Sequence, residues 1–511
     1  MDIFYQAASI LFHWENFAIA IVGIVSGIIL GAIPGLGPTM AIVIFLPLTF
    51  YMSPIFSMML LIGIYRGGIY GGSISAILIN TPGTPTASAT LLDGYPMAKQ
   101  GKALKALDAA LYGSLSGDIF GILLLILCAE PLAKVALKFG PAEYFSLVLL
   151  SLTIVASVSG KSILKGLIVA VFGIVLSLVG LDPILGSERF TFGTTTLLEG
   201  IPYIPLLMGL FALSEILTLA EKGMTATGDE KTDANINVSE KGDRLTFKEF
   251  WSMRMLVLRS GIIGAFFGAL PGLGGTAAAF GAYGIAQKTS KHPEKFGTGV
   301  VEGVLAPETA NNAVCGAALI PTIALGIPGD GTTAVLLGAF VLAGLTPGPL
   351  VFTKHAATMY AIFMGLLISG IFLYIFAKIA IRAFALILKV PKSQLFSIVI
   401  VLCVIGSYVY GNNIFSVWVM FLGGILGYIM RKYDFPLAPL VIAMILSPIL
   451  ESSLRQALII SSGDISIFFA RPISAVFLLF TIISVSYIAF SKYTEYGKVK
   501  AQGNKAIDNG E

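Results

Sequence analysis

The amino-acid sequence predicts an all-α polytopic membrane protein, and three observations carry that expectation. Only 60 of the 511 residues are charged, 32 Lys+Arg and 28 Asp+Glu, which is 12% where soluble proteins carry about 25%. Hydrophobic residues make up 56% of the chain and the mean hydropathy is +0.90, more apolar surface than water-soluble cores can hide. Apolar stretches of the roughly 17–25 residues that a bilayer crossing needs also recur along the chain. A soluble enzyme and a nucleic-acid-binding domain are thereby excluded, and a lipid bilayer is the expected environment. The net charge of +4 is small and scattered, so it bears on membrane orientation rather than on an anionic partner.

Taken in order, Met1–Phe17 carries no basic stretch and no small-residue cleavage site, so no removable signal peptide is expected. Apolar stretches follow at 17–50, 56–92, 107–130, 144–159, 162–181 and 200–220. Between Glu221 and Glu249, 12 of 29 residues are charged and the apolar pattern disappears, the mark of a solvated linker. Beyond it come 255–286, 312–345, 357–377, 395–410, 414–430, 436–450 and 472–491. The expected organisation is a first membrane repeat (1–220), a hydrophilic cytoplasmic linker (221–254), a second membrane repeat (255–491) and a cytoplasmic C-terminal tail (492–511), with about 10–12 transmembrane helices. Lys and Arg mark the inner side of short loops. Placing Lys99/Lys102/Lys105, Lys161/Lys165, the linker, Lys288/Lys291/Lys295, Lys378–Lys392, Arg431/Lys432 and Lys492–Lys505 inside gives a nearly consistent alternation, with Lys134/Lys138 as the exception. Cys128, Cys315 and Cys403 each stand alone in an apolar run and read as small core residues.

The two halves resemble each other. Gly27-IIL-Gly31-AI-Pro34-Gly35-Leu36-Gly37-Pro38-Thr39 matches Gly264-AFF-Gly268-AL-Pro271-Gly272-Leu273-Gly274-Gly275-Thr276 at an offset of 237. Thr81-Pro82-Gly83-Thr84-Pro85-Thr86 matches Ile327-Pro328-Gly329-Asp330-Gly331-Thr332 at 246, and Tyr112/Tyr360, Gly160/Gly411 and Gly173/Gly424 keep the order. The 9-residue growth falls where the second half carries QKTSKHPEKFG (287–297). Basic loops change places between the halves: the first half is uncharged after its first motif (Phe50–Ile55), the second has three Lys there. Equivalent loops on opposite faces point to an inverted repeat, with 17–50 and 255–286 each entering and returning as a hairpin or pairing with a second short crossing.

In hydrocarbon every backbone N–H and C=O needs a partner, so PGLGPT and NTPGTPT inside apolar segments belong where protein or water supplies one. The N-terminal end of a broken helix suits a carboxylate, and freed carbonyls suit a cation such as Na⁺. On that reasoning Gly35, Gly37, Thr39, Thr84, Thr86, Gly272, Gly274, Thr276 and Thr332 are candidate substrate-binding residues, joined by Asn311, Asn312 and the lone cation Arg66. Glu302, Glu308, Asp330 and Asn80 are candidates for a coupling ion, because acids and amides beside a membrane break are costly unless they do something. The plainer alternatives are that Gly, Pro and Thr here only allow close helix packing, that Glu302 pairs with Lys295 at the interface, and that Arg66 snorkels or pairs with an acid of the other half.

Other chemistries find little support. Gly272-Leu-Gly274-Gly-Thr-Ala277 fits a relaxed dinucleotide-binding pattern, but its flanks are membrane-length apolar runs and the first half has Met40 at the last position. Tyr433-Asp434 and Gly329-Asp330 suggest an intramembrane aspartyl protease only until position 327, which is Ile. There is no HExxH and no GxxxxGK[ST], and His13, His292 and His355 are dispersed, so no catalytic residue, organic cofactor or metal cluster is expected. A passive channel or an intramembrane enzyme remain the competing classes.

The paired PGLG motifs, APETANNA (306–313), LIPTIALGIPGDG (319–331) and GLTPGP (344–349) together resemble the large membrane subunit of the tripartite tricarboxylate transporters, the TctA family, over about 17–490. The resemblance implies a permease of the bacterial inner membrane that works with a small four-helix membrane subunit and a periplasmic solute-binding protein. It also implies import of a carboxylate, a tricarboxylate such as citrate or a related organic acid, by Na⁺ or H⁺ symport. The halves differ at the second motif, NTPGTPT against GIPGDGT, so only Asp330 brings a carboxylate there.

Overall fold

The computed structural model describes residues 2–158, 162–225, 243–387 and 392–486. Gly160 of the weaker repeat echoes, the middle of the charged linker (226–242), residues 388–391 and the expected C-terminal tail lie outside the described residues. The described residues are mostly helical, and their one strand pair is Gly180–Leu181 antiparallel with Glu188–Arg189. Among the described residues seven helices are long and apolar enough to cross a bilayer: Trp14–Ala32, Pro54–Ile79, Ala103–Ala136, Tyr203–Glu221, Ala356–Ile381, Ile414–Lys432 and Leu437–Ile460. Shorter apolar helices accompany them, including Pro38–Tyr51, Gly331–Leu342 and Pro472–Ser486. The protein is therefore an all-α, multi-pass membrane protein.

The chain forms two compact units, Met1–Lys138 with Ile201–Tyr433, and Phe139–Gly200 with Asp434–Glu511. Each draws on both sequence halves. In the smaller unit Pro141–Val158 and Ile163–Ser177 pack with Leu437–Ile460 through small residues: a β-carbon on Gly166 would stand 2.1 Å from the Ala156 carbonyl oxygen, and one on Gly173 2.4 Å from that of Leu440. Arg189 and Arg455 bridge Glu451 and Asp182 at 2.6–3.7 Å. The Leu185 N–H, then Arg455, hold the Asp182 carboxyl well below the usual range.

In the larger unit, helix contact is set by glycines four residues apart. Gly23, Gly27 and Gly31 on Trp14–Ala32 face Gly63, Gly67 and Gly71 on Pro54–Ile79. A β-carbon on Gly27 would stand 2.4 Å from the Ile64 carbonyl oxygen, and one on Gly67 2.3 Å from that of Ile24. Without side chains between them the backbones approach to van der Waals contact, which is how apolar helices associate where no water drives them together. Helix Glu302–Leu325 of the second half is met in the same way: Gly264 meets the Ala310 carbonyl and Gly117, from the first half, that of Thr309, both within 2.2 Å of where a β-carbon would be. Helix Glu302–Leu325 is thus pressed between Arg254–Ala269 and Ala103–Ala136 and is buried over nearly its whole length. It begins ten residues before the apolar stretch 312–345, so Glu308, Asn311 and Asn312 lie within a helix and not at its break.

Near the end of the charged linker, Thr246 and Glu249 form a capping box at the start of Phe247–Ser252. Lys105 holds Glu249 at 2.8 Å and Asp243 at 3.3 Å. The expected solvated segment is therefore anchored at 243–249 to the first turn of Ala103–Ala136.

Candidate functional site

All four breaks lie in the larger unit, and each pair is built alike. The two PGLG turns place Gly35 at φ 92° and Gly272 at φ 89°, a left-handed backbone that favours glycine. The helices Pro54–Ile79 and Glu302–Leu325 end on left-handed caps, Asn80 at φ 55° and Gly326 at φ 72°. Asn80 is exposed and serves as that cap. Within the second half Gly272 N–H donates to the Gly329 carbonyl at 2.6 Å. Within the first, a β-carbon on Gly83 would stand 2.1 Å from the Gly31 carbonyl oxygen. In this way the Pro-Gly turn backs the PGLG turn in the second half and, in the first, the last turn of the helix that leads into it.

Contacts between the breaks close a ring. Thr39 Oγ1 and Thr332 Oγ1 share a hydrogen bond of 2.6 Å across 293 residues. Thr332 follows Asp330 and Gly331, and a β-carbon on Gly274 would lie 3.9 Å from Asp330 Cβ. The next residue, Gly275, lies against Asn311, whose Oδ1 would be 2.5 Å from a β-carbon there. Asn311 Nδ2 donates to Thr86 Oγ1 at 3.0 Å, and Thr86 and Thr84 share a hydrogen bond of 2.9 Å. Thr84 Cγ2 would be 3.9 Å from a β-carbon on Gly37, two residues before Thr39. Most of the ring is half-buried, so it opens to a surface.

The four helix starts on this ring differ in electrostatics. Asp330 caps Gly331–Leu342 from within: its Oδ1 accepts the Thr333 N–H at 2.8 Å and the Thr333 hydroxyl at 2.9 Å. Thr84 likewise accepts the Ala87 N–H at 3.3 Å. The starts of Pro38–Phe45 and Gly274–Thr289 carry no side-chain cap. Their first N–H groups keep their partial positive charge for an outside acceptor, and Thr39 and Thr276 stand in the first turn of each. Thr276 is half-buried with no hydrogen-bond partner among the described residues.

Beside the ring lies a polar cluster. Glu308 is fully buried and accepts from Ser73 Oγ at 2.5 Å, from Ser114 Oγ at 3.0 Å and from Thr90 Oγ1. Asn312, one turn on, donates from Nδ2 to Ser114 Oγ at 3.0 Å and to the Glu308 carbonyl at 2.9 Å. Arg66 belongs to a second buried group. It meets Asp118, an acid of its own half, at 3.0 Å, with side chains 2% and 1% exposed. Its guanidinium also donates to the Leu366 carbonyl at 2.5 Å and to Ser369. Neither snorkelling nor an acid of the other half is involved. Glu302 sits half-buried in the first turn of Glu302–Leu325, with no ion pair to Lys295 among the described residues, where an acid favours the helix end.

Several residues here escaped the sequence reading. Ser73, Thr90 and Ser114 are hydroxyls in apolar runs and had no signal of their own. Asp118 did have one, since a lone acid in a membrane-length run stands out by the rule that singled out Arg66. Asp93, also buried, accepts the N–H groups of Gly297, Gly299 and Val300 at 2.8–3.1 Å and the Tyr283 hydroxyl at 2.9 Å. It thereby holds the loop that enlarges the second half.

A family model described as the tripartite tricarboxylate transporter TctA family matches residues 17–442. An uncharacterized 52.8 kDa protein in the TAR-I ttuC' 3' region of Agrobacterium vitis is 40% identical over 461 residues, 90% of each chain. An uncharacterized protein in the TAR-II ttuC' 3' region of the same organism is 39% identical over 212 residues, 42% of this chain and 88% of its own. No solved structure matches significantly.

Proposed function

The chain belongs to the tripartite tricarboxylate transporter TctA family, and from that premise we propose that it is the large permease subunit of a system importing a carboxylate by Na⁺ or H⁺ symport. The observation that carries this reading is the ring in which hydroxyls of both sequence halves meet, with the Thr39–Thr332 hydrogen bond at 2.6 Å. The uncapped starts of Pro38–Phe45 and Gly274–Thr289 offer N–H groups to the substrate's carboxylates, while Thr39 and Thr276 offer hydroxyl donors. Gly35, Gly37, Gly272 and Gly274 let the backbone come close, and Thr84, Thr86, Asn311 and Thr332 complete the wall. Glu308 binds the coupling ion. Arg66, neutralised by Asp118, holds helices together. Asp330 and Asn80 shape the turns.

The family supplies the remaining expectations: a solute-binding protein delivers substrate in the periplasm, and a small four-helix subunit completes the permease in the bacterial inner membrane, with the C-terminus cytoplasmic. The halves form an inverted repeat, which gives the ring equivalent elements from either side of the membrane. Because the ring is built within one compact unit, it can travel as a piece, and an elevator-type movement is the expected form of alternating access. The test is uptake in proteoliposomes containing this chain, the small subunit and the binding protein, with ΔpH and ΔNa⁺ varied separately. Saturable uptake driven by one of them is expected. Uptake that never saturates and ignores both would make the protein a channel.

A further inference from the structure

The cluster around Glu308 leaves three needs unmet at once. A carboxylate is buried with hydroxyl partners only: Ser73, Thr90 and Ser114. Among the described residues the cations of the larger unit's core are committed elsewhere, Arg66 to Asp118, Lys378 with Arg244 to Asp108, and Arg431 to Glu215. Asn312 Oδ1 is buried with no partner, on the carboxamide whose Nδ2 already holds Ser114 and the Glu308 carbonyl. That carbonyl only accepts, so the Nδ2 side of the amide is fixed by its partner and the oxygen faces away from it. Tyr70 Oη is the third, buried without a partner one turn before Ser73 and within electrostatic reach of Asp108 first and of Glu308 second.

Buried charges are paired or bind a metal ion, and buried acceptors are satisfied. A proton on Glu308 would cancel the charge but leave the lone pairs of Asn312 and Tyr70 idle. A small hard cation would answer all three, because hydroxyl, amide and carboxylate oxygens are the ligands such ions take. Its single positive charge would balance the single carboxylate. We propose that Glu308, Ser73, Thr90, Ser114 and Asn312 form a sodium-ion site, with Tyr70 bounding it directly or through the ion's water. The hydroxyls that donate to Glu308 turn their lone pairs inward when the ion enters. The proposal rests on the transport reading above and names its coupling ion.

The test separates the two. The purified full-length chain is titrated with NaCl against choline chloride at constant ionic strength, and its thermal unfolding midpoint is followed. A saturable rise with Na⁺ is expected. Its half-saturation concentration should increase on the order of tenfold in Ser114→Ala and in Asn312→Ala, and the rise should vanish in Glu308→Gln. A wild-type midpoint indifferent to Na⁺, or a Glu308→Gln protein responding like wild type, would overturn the site. If Glu308→Gln misfolds, the Ser114 and Asn312 variants decide the matter, and unchanged half-saturation in both overturns it. Uptake driven by ΔpH alone, with no Na⁺ effect on the midpoint, removes the site and leaves transport standing. The Na⁺ effect without any coupled uptake keeps the site and removes transport.

Discussion

At the scale of single residues, the ring predicts that hydroxyls matter for more than packing. Thr39→Val and Thr276→Val preserve side-chain volume and remove one donor each. Both are expected to lower uptake by about tenfold or more, the equivalent of a lost hydrogen bond to a charged group, while the protein stays folded. Wild-type kinetics in both would return the PGLG turns to a packing role. The Arg66–Asp118 pair predicts a different pattern. Asp118→Asn alone strands a buried guanidinium and should cost about 3–5 kcal/mol of stability, whereas Arg66→Met with Asp118→Leu should cost clearly less. Chemical unfolding of these two variants and the wild type in one detergent checks this, and a double variant at least as destabilised as Asp118→Asn would show that the two side chains do not act as a pair. Arg66 illustrates the limit of reading a residue alone. Its isolation in an apolar run is visible in the sequence, but its partner stands 52 residues away and is selected by how two helices pack.

At the scale of elements, glycines four apart set the spacing of Trp14–Ala32 against Pro54–Ile79. Gly67→Val would drive a side chain into the Ile24 carbonyl, 2.3 Å from the first added carbon. A well-packed core resists overpacking by about 1–3 kcal/mol, and here the obstacle is backbone, so the upper end is expected, with a lower unfolding midpoint and poor membrane yield. Normal stability would mean that the two helices are free to separate. The Phe247–Ser252 element predicts a pH effect. Lys105, then the Thr246 N–H and hydroxyl, hold the Glu249 carboxyl down at about 2, below the ordinary glutamate value of 4.5. A depressed acid contributes its stabilisation above the unfolded value and loses it as pH falls through the folded one. Proteolysis of the linker near 243–252 should therefore be slow at neutral pH and accelerate between about pH 4.5 and 2. Glu249→Gln should show the fast rate at neutral pH already. A rate in the variant equal to wild type would show that the capping box does not hold the segment.

At the scale of the whole molecule, the transport reading predicts that uptake requires the binding protein and saturates with substrate, which proteoliposomes lacking that protein test directly. The sequence by itself determined the membrane class, because 12% charge in 511 residues leaves no other environment for so much apolar surface. It also determined the family, through contiguous motifs such as APETANNA, and marked the four breaks, because Gly and Pro interrupt a helix by local backbone geometry alone. Only the tertiary structure decided which breaks touch, that Glu308 and Asn312 lie inside a helix one turn apart, and that Ser73, Thr90 and Ser114 surround that acid. The reason is physical. Turns and apolar runs are dictated by neighbours along the chain, whereas a buried carboxylate's partners are chosen by packing between segments up to 235 residues apart, and a lone hydroxyl in an apolar run carries no mark of which acid it will meet.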